Sequence, residues 1–276
     1  MRGLVPSIIA LTTALAVGAA PAPGRLGSII SSFRIGSLWG YYYCISRDNS
    51  YVYVIMDYQE GGGSPLKAYT PDGEFAFSSG VGSPFHFEAD HSVLGDGYLA
   101  VVHWYQTMRI YDYVARTGSV VGSWAPLEKM YSYAFIPGGR YKYVVSGEYA
   151  QDYYVYRFTK EGSLVSSFST GLGIGGLAAT DKFAGRDGEY LVVAKRWYRY
   201  VYTTSGSLIA SFNHYQSDTT NHGCVCGPGY PADYGTTLWY LQSVRYENDA
   251  YVFQAYLGNG VAVAPASVGK IKALYR

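Results

Sequence analysis

At 276 residues, with 49% hydrophobic content, the chain has room for one large all-β domain, since sandwiches, barrels and propellers often exceed about 200 residues without dividing. Charged residues make up only 15%, below the ~25% usual for soluble proteins, so 31 tyrosines, 34 glycines and neutral polar groups must cover much of the surface. With 21 basic against 20 acidic residues, no long-range field steers the chain to nucleic acid or to an anionic membrane, and neither is expected as a partner.

The first residues read as an export signal. Arg2 supplies a positive end, Leu4 to Val17 are mainly apolar, and Val17-Gly18-Ala19 or Ala20-Pro21-Ala22 places small residues at cleavage spacing. The competing reading, a membrane anchor, is weakened by Pro6 and by an apolar run short of the ~20 residues that span a bilayer. Residues 1–22 are therefore expected to be cleaved, leaving residues 23–276 as a single secreted, extracellular domain.

From there one short phrase organises the chain. It reads Gly27-Ser28-Ile29-Ile30-Ser31-Ser32-Phe33 at its first appearance and returns at Gly73, Gly118, Gly162, Gly206 and Gly269. Trp124 takes the aromatic place in the third copy and Tyr275 in the last. The glycines lie 46, 45, 44, 44 and 63 residues apart, and a near-constant period of that length signals a propeller or a related repeat architecture.

Each phrase after the first is preceded by three segments of strand character. In the first unit these are Tyr41–Ile45, Tyr51–Met56 and Leu66–Tyr69, with Arg47-Asp48-Asn49-Ser50 as a turn. Later units repeat the turn at Leu94–Gly97, Ile136–Gly139, Gly185–Gly188 and Glu247–Ala250, and the strands that follow open on Tyr98, Tyr141, Tyr190 and Tyr251. Third strands are expected at Met108–Tyr113, Tyr153–Phe158, Tyr198–Tyr202 and Gly260–Val263. Aromatic and β-branched runs bounded by Asp, Asn, Gly and Pro are what hairpins require. Four antiparallel strands per unit without helical periodicity describe an all-β propeller, five-bladed by this parse with six as the alternative.

A turn rich in Asp, Asn and Gly, then Tyr-Val-x-Val, an Arg-Ile-x-x-Tyr-like strand and Gly-x-Leu-x-x-Phe resembles the NHL repeat and related six-bladed propeller repeats. Arg109-Ile110-Tyr111 through Gly118-Ser119-Val120-Val121-Gly122-Ser123-Trp124 carries the likeness most fully. The resemblance implies a binding platform in most members and a metal-assisted lyase or hydrolase in a few.

The tally leaves five complete sets of inner strands but six fourth strands. With Gly269–Tyr275 assigned to the last unit, Gly27–Phe33 becomes an extra N-terminal strand. It either pairs within its own ring or, through Ile29, Ile30 and Phe33, adds to the edge of a neighbouring copy. An apparent insertion of about twenty residues, Asn213 to Gly235, carries Cys224 and Cys226. Ring closure would bring the first unit beside the fifth, making Cys44 to Cys224 or Cys226 the disulfide candidates and leaving one thiol over. A zinc site with His214 and His222 fits poorly, because Cys-x-Cys with scattered histidines lacks the usual paired spacing.

Ionisable groups are densest at Phe85–His91. Alternation sets His86, Glu88 and Asp90 on one strand face, with His103 in the next strand, either as a wet channel stripe or as an acid and base or metal set. No nucleophile elbow or Walker-type loop occurs, and Gly171-Leu172-Gly173-Ile174-Gly175-Gly176 lacks the context of a dinucleotide site. No cofactor and no metal is expected. Part of the tyrosine complement is read as packing between blades and the rest as outward rings suited to another subunit or to sugars. No Asn-x-Ser/Thr sequon is present, while Ser- and Thr-linked glycosylation stays open. The expectation is a non-catalytic secreted structural protein that assembles with itself into a filament or sheath. The alternatives are a secreted binding module for a peptide or glycan and, third, a lyase or hydrolase using the His86 to His103 region.

Overall fold

The computed structural model describes residues 25–37, 42–56, 64–81, 91–105, 107–136, 139–147, 153–171, 176–195, 198–213, 219–244 and 249–258. In these, twenty strands and one short 3-10 turn, Ala232–Tyr234, are arranged as five antiparallel four-stranded sheets. Blade 1 is β2 (Tyr42–Arg47), β3 (Val52–Met56), β4 (Ser64–Tyr69) and β5 (Phe75–Val81). Blade 2 is β6 (His91–Gly95), β7 (Tyr98–Tyr105), β8 (Thr107–Val114) and β9 (Ser119–Trp124). Blade 3 is β10 (Ser132–Phe135), β11 (Tyr141–Gly147), β12 (Tyr153–Thr159) and β13 (Leu164–Gly171). Blade 4 is β14 (Gly176–Phe183), β15 (Arg186–Lys195), β16 (Tyr198–Thr203) and β17 (Leu208–Asn213). Blade 5 runs β18 (Thr219–Pro228), β19 (Thr236–Val244) and β20 (Asp249–Ala255), and takes β1 (Ile29–Ser37) as its outermost strand. The first strands adjoin in the order β2, β6, β10, β14, β18 and back to β2, so the chain is a five-bladed β-propeller with those strands around its axis.

The core lies between the blades. Val52, Tyr53, Val54 and Ile55 are all buried, because one face of β3 packs on blade 2 and the other on blade 5. A strand covered on both faces reads as a continuous apolar run instead of alternating. Several tyrosines complete these interfaces. Tyr53, Tyr133, Tyr143 and Tyr240 are fully buried, whereas Tyr154 and Tyr198 of the third strands turn outward, so both halves of the tyrosine expectation are represented.

The recurring phrase has a physical cause. Its glycine closes the turn between the third and fourth strands at positive φ, +99° at Gly73, +97° at Gly162 and +90° at Gly206, a region that other L-residues rarely enter. The same glycines lie against the aromatic that ends the preceding phrase. A Cβ would stand 2.6 Å from Phe212 at Gly27, 2.7 Å from Phe33 at Gly73, 2.8 Å from Trp124 at Gly162 and 2.6 Å from Phe168 at Gly206. In the third copy, Gly118 instead meets the Gly80 backbone, because Ser79 holds the aromatic position of the phrase before it. Each phrase is thus half of two interblade contacts, which is why glycine and ring recur together.

Blade 5 corrects the tally. Glu247–Ala250 joins the second and third strands of this blade, not the first and second, so the Tyr251 strand is the third and Thr236–Val244 the second. The apparent insertion holds the axial strand β18, with Cys224 and Cys226 on it. The place left at the rim belongs to β1, which pairs antiparallel with β20 from Ile29 opposite Ala255 to Ser37 opposite Asp249. Backbone bonds from Gly27 N to Tyr256 O (2.8 Å) and from Tyr256 N to Ser28 O (2.9 Å) extend the join. The buried Gln254 carboxamide donates to Ser31 Oγ and accepts from Thr237 Oγ1, tying the strand inward. Ile29 packs with the cores of blades 4 and 5, and Phe33 with Tyr69 of blade 1 at 5.9 Å between centroids. The Gly27 phrase is therefore not surplus to its own ring. The expected strands Gly260–Val263 and Gly269–Tyr275, and the export signal at 1–22, lie outside the described residues.

No disulfide is seen among the described residues, where Cys224 and Cys226 both lie on β18. Alternation along β18 turns Val225 toward Ile45 and Val52 of blade 1 but turns the two cysteines toward Ala178 and Val192 of blade 4. Cys224 Sγ lies 4.0 Å from Val192 O. The blades do adjoin as expected; the thiols face the other neighbour.

Candidate functional site

At one end of the axis the turns from first to second strands converge. Arg47, Asp48 and Asn49 from blade 1, Asp96 from blade 2, Phe135 and Ile136 from blade 3, Thr180 and Asp181 from blade 4, and Cys226 and Pro228 from blade 5 line a cavity of about 440 Å3. A pocket of this kind is the default place to look for function in a propeller, since every blade aims a short loop at it.

Asp48 is the hub of this mouth. Its Oδ1 accepts from Ser50 N (2.8 Å) and Tyr51 N (2.7 Å), and its Oδ2 from Tyr53 Oη (2.6 Å) and from Gly97 N of blade 2 (2.9 Å). An aspartate two and three residues before the donors is an Asx-type turn, which bends β2 into β3 and here also clamps the neighbouring blade. Asn49 repeats the link, donating through Nδ2 to both Asp96 carboxylate oxygens at 2.9 and 3.0 Å.

Arg47 is the buried cation beside it, 4% exposed. Its guanidinium lies over the Trp239 ring of blade 5 at 5.4 Å and donates to the Asp48 and Tyr51 carbonyls, while Nε makes no hydrogen bond. Gly227 leaves room for its stem, since a Cβ there would stand 2.6 Å from Arg47 Cγ. Asp48 comes no nearer than 4.0 Å, and burial outweighs that attraction, drawing the Arg47 pKa down to about 10. Burial, the neighbouring Cys224 and Asp181 push the half-buried Cys226 thiol well up, so it stays protonated and a poor nucleophile.

None of the residues singled out as a channel stripe falls in this mouth as described. His86, Glu88 and Asp90 lie outside the described residues, and His103 is placed on β7 opposite Arg109. Among the described residues no three His, Cys, Asp or Glu side chains gather as a metal-holding group, and no helix is long and apolar enough to cross a membrane. Arg47 and Asp48 were visible in sequence only as a turn. The available signal was the Asp48 to Ser50 spacing of a side-chain-capped turn; nothing local announced the contacts to blades 2 and 5.

A second feature lies at the perimeter. β5, β9, β13 and β17 each end their sheet, and their third and fourth phrase positions are apolar and open: Val120 and Val121, Leu164 and Val165, Leu208 and Ile209 are between 41% and 59% exposed, and Phe75 matches the third position in blade 1. These four strands contain no charged residue and no proline.

The strand topology defines the chain as a β-propeller, and the comparisons show no family. No family model and no curated protein matches. Among solved structures, the tail fiber of Staphylococcus aureus phage P68 is similar with a TM-score of 0.54 at 10% identity, covering 83% of this chain and 52% of that one. The WD40 domain of Toxoplasma gondii coronin has a TM-score of 0.41 at 9% identity, covering 87% of this chain and 89% of that one. The chain thus spans about half the length of the tail fiber it matches, and at these identities the likeness is one of fold.

Proposed function

We propose that this is a non-catalytic structural protein that associates with further copies of itself through the outer edges of its blades. The observation that carries the reading is the repeated, uncharged, apolar outer strand. Soluble propellers blunt such edges with charge, proline or cover, because an open row of N–H and C=O groups recruits other strands. A second copy is the fitting occupant. Antiparallel pairing of two such phrases sets an apolar pair against an apolar pair and serine against serine, and a net charge of +1 raises no barrier between copies. β1 differs from the other four in carrying Arg34, exposed on the rim, so the assembly residues of choice move from Ile29, Ile30 and Phe33 to the Val120, Leu164 and Leu208 pairs. The NHL-like repeat is taken here as a binding platform, and residues 1–22 as the signal that places it outside the cell.

Sedimentation velocity and electron microscopy across a concentration series test this. The protein is expected to form large ordered particles, and the triple substitution Val121→Lys, Val165→Lys, Ile209→Lys to return it to a folded monomer. A wild-type chain that stays monomeric at millimolar concentration, or a triple variant that assembles unchanged, overturns it.

A further inference from the structure

We propose that the sixth copy of the repeated phrase, Gly269–Tyr275, is a donor strand that adds antiparallel to the β5 edge of a second copy of the chain. This rests on the reading that the outer edges recruit strands, and it names the segment that one of them takes.

The count of phrases leads there. The sequence holds six of them, and five blades offer five outermost places. Among the described residues β1, β5, β9, β13 and β17 fill all five, so Gly269–Tyr275 has no place in its own ring. Its pattern is still that of the others. After the glycine, Ile271, Ala273 and Tyr275 alternate with Lys270, Lys272 and Leu274, and the aromatic closes the phrase as Phe168 and Phe212 do. Ten residues, 259–268, separate it from Gly258, a tether of up to roughly 35 Å.

Charge selects the edge. Lys270, Lys272 and Arg276 give the segment three positive charges and no negative one. β1, to which the chain is bonded at Tyr256, is a poor acceptor, because Arg34 is exposed on it and Ile29 and Ile30 are half-buried. The turn into β9 carries exposed Arg116, the turn into β13 sets Lys160 beside Glu161, and residues 203–207 before β17 carry no charge. Of the five edges only β5 is entered from a turn that is acidic alone, with Asp72 and Glu74 exposed and Phe75 58% exposed after them.

A register follows from these residues. Ser79 is held by blade 2 through its bond to Ala115 O, so the open part of β5 is its first half, where Phe75, Ala76 and Ser78 are exposed. With Tyr275 opposite Phe75, an antiparallel strand sets ring against ring, Leu274 against Ala76 and Arg276 against Glu74. Lys272 falls opposite Ser78 and meets no like charge. The same alignment on β9, β13 or β17 sets Arg276 against Ser119, Ser163 or Ser207, with no carboxylate to receive it.

Cysteine cross-linking of full-length chains tests the contact. Chains carrying Phe75→Cys are mixed with chains carrying Tyr275→Cys under mild oxidation, and non-reducing gels with peptide mapping read the product. A link between positions 75 and 275 of different chains is expected, formed at least about tenfold faster than when Val120→Cys replaces Phe75→Cys. In sedimentation velocity, deleting residues 269–276 should lower the association constant about tenfold or more. Glu74→Arg and Arg276→Glu should each lower it about two- to fivefold, the scale of an exposed ion pair, and the two together in one chain should restore it. Absence of the 75–275 link, a link formed only within one chain when both cysteines are placed on it, or association unchanged by the deletion overturns the proposal while leaving edge-to-edge self-association standing. A wild-type chain that stays monomeric removes both.

Discussion

Replacing Gly206 with alanine isolates the contact that sets the repeat. Two costs combine there. The left-handed backbone at φ +90° costs a non-glycine residue roughly 1–2 kcal/mol. The new methyl would also stand 2.6, 2.7 and 2.9 Å from Cγ, Cβ and Cδ2 of Phe168 in the neighbouring blade, an overpacking worth about 1–3 kcal/mol. Gly171 provides the control, because its φ is +78° but a Cβ there has open space. Gly206→Ala should therefore exceed Gly171→Ala in destabilisation by about 1–3 kcal/mol. Phe168→Ala removes the obstacle, so the double variant Phe168→Ala, Gly206→Ala should be more stable than the sum of its singles by a similar amount. Urea unfolding followed by far-UV circular dichroism, with a common m-value, measures all four. Equal costs at Gly206 and Gly171, or additivity within about 0.5 kcal/mol, would refute the view that glycine and ring form one interblade unit.

Two further outcomes follow from buried polar groups. Burial holds the Tyr53, Tyr133 and Tyr143 phenols far above their usual value of 10, reinforced by Asp48 at Tyr53, Asp112 at Tyr133 and Glu189 at Tyr143. A phenol whose folded pKa is raised keeps its contribution below the unfolded value and loses it as pH rises beyond, so stability should fall above about pH 10 by roughly 1.4 kcal/mol per group per pH unit. Absorbance at 295 nm should show these tyrosinates appearing only with loss of the β-sheet circular dichroism signal; their titration in the folded state would count against it. Asp48→Ala strips four hydrogen bonds and leaves Arg47 without its countercharge, and should cost about 3–5 kcal/mol, against about 1 kcal/mol for Tyr53→Phe, which removes a single bond. Chemical denaturation ranks the two, and equal costs would contradict the hub role.

The period was legible because the Gly206-to-Phe168 type of contact writes the same two residues into nearly every blade. The register of blade 5 was not, and the reason lies in β18. Thr219–Pro228 has two Cys and two Gly, no aromatic residue and no β-branched run beyond Thr219-Thr220, and shifts register between Asn221 and Cys224 beside Gly223 at φ +101°. Its strand character comes from pairing with β19, which no local pattern announces. The mouth was hidden for a related reason. Asp48 advertises a turn, but the Gly97 donor lies 49 residues away and the Trp239 under Arg47 comes from the far side of the closed ring. The direction of Cys224 depends on which face of β18 meets which neighbour, and that is set by the pairing of β18 with β19 and not by any local pattern.

Making one sheet from strands more than 200 residues apart, Ile29–Ser37 and Asp249–Ala255, has a consequence for how the molecule matures. Ile29 leaves the ribosome long before its partner Ala255 exists, and bringing such distant segments together carries a loop-closure cost of roughly 5 kcal/mol. Blades 1 to 4 can each condense as they emerge, since their strands are sequential neighbours. The circle itself is sealed only once Asp249–Ala255 has emerged, leaving Phe33 and Ile35 uncovered until then, so translation pauses upstream of Asp249 should be the moment at which the nascent chain is most prone to aggregate.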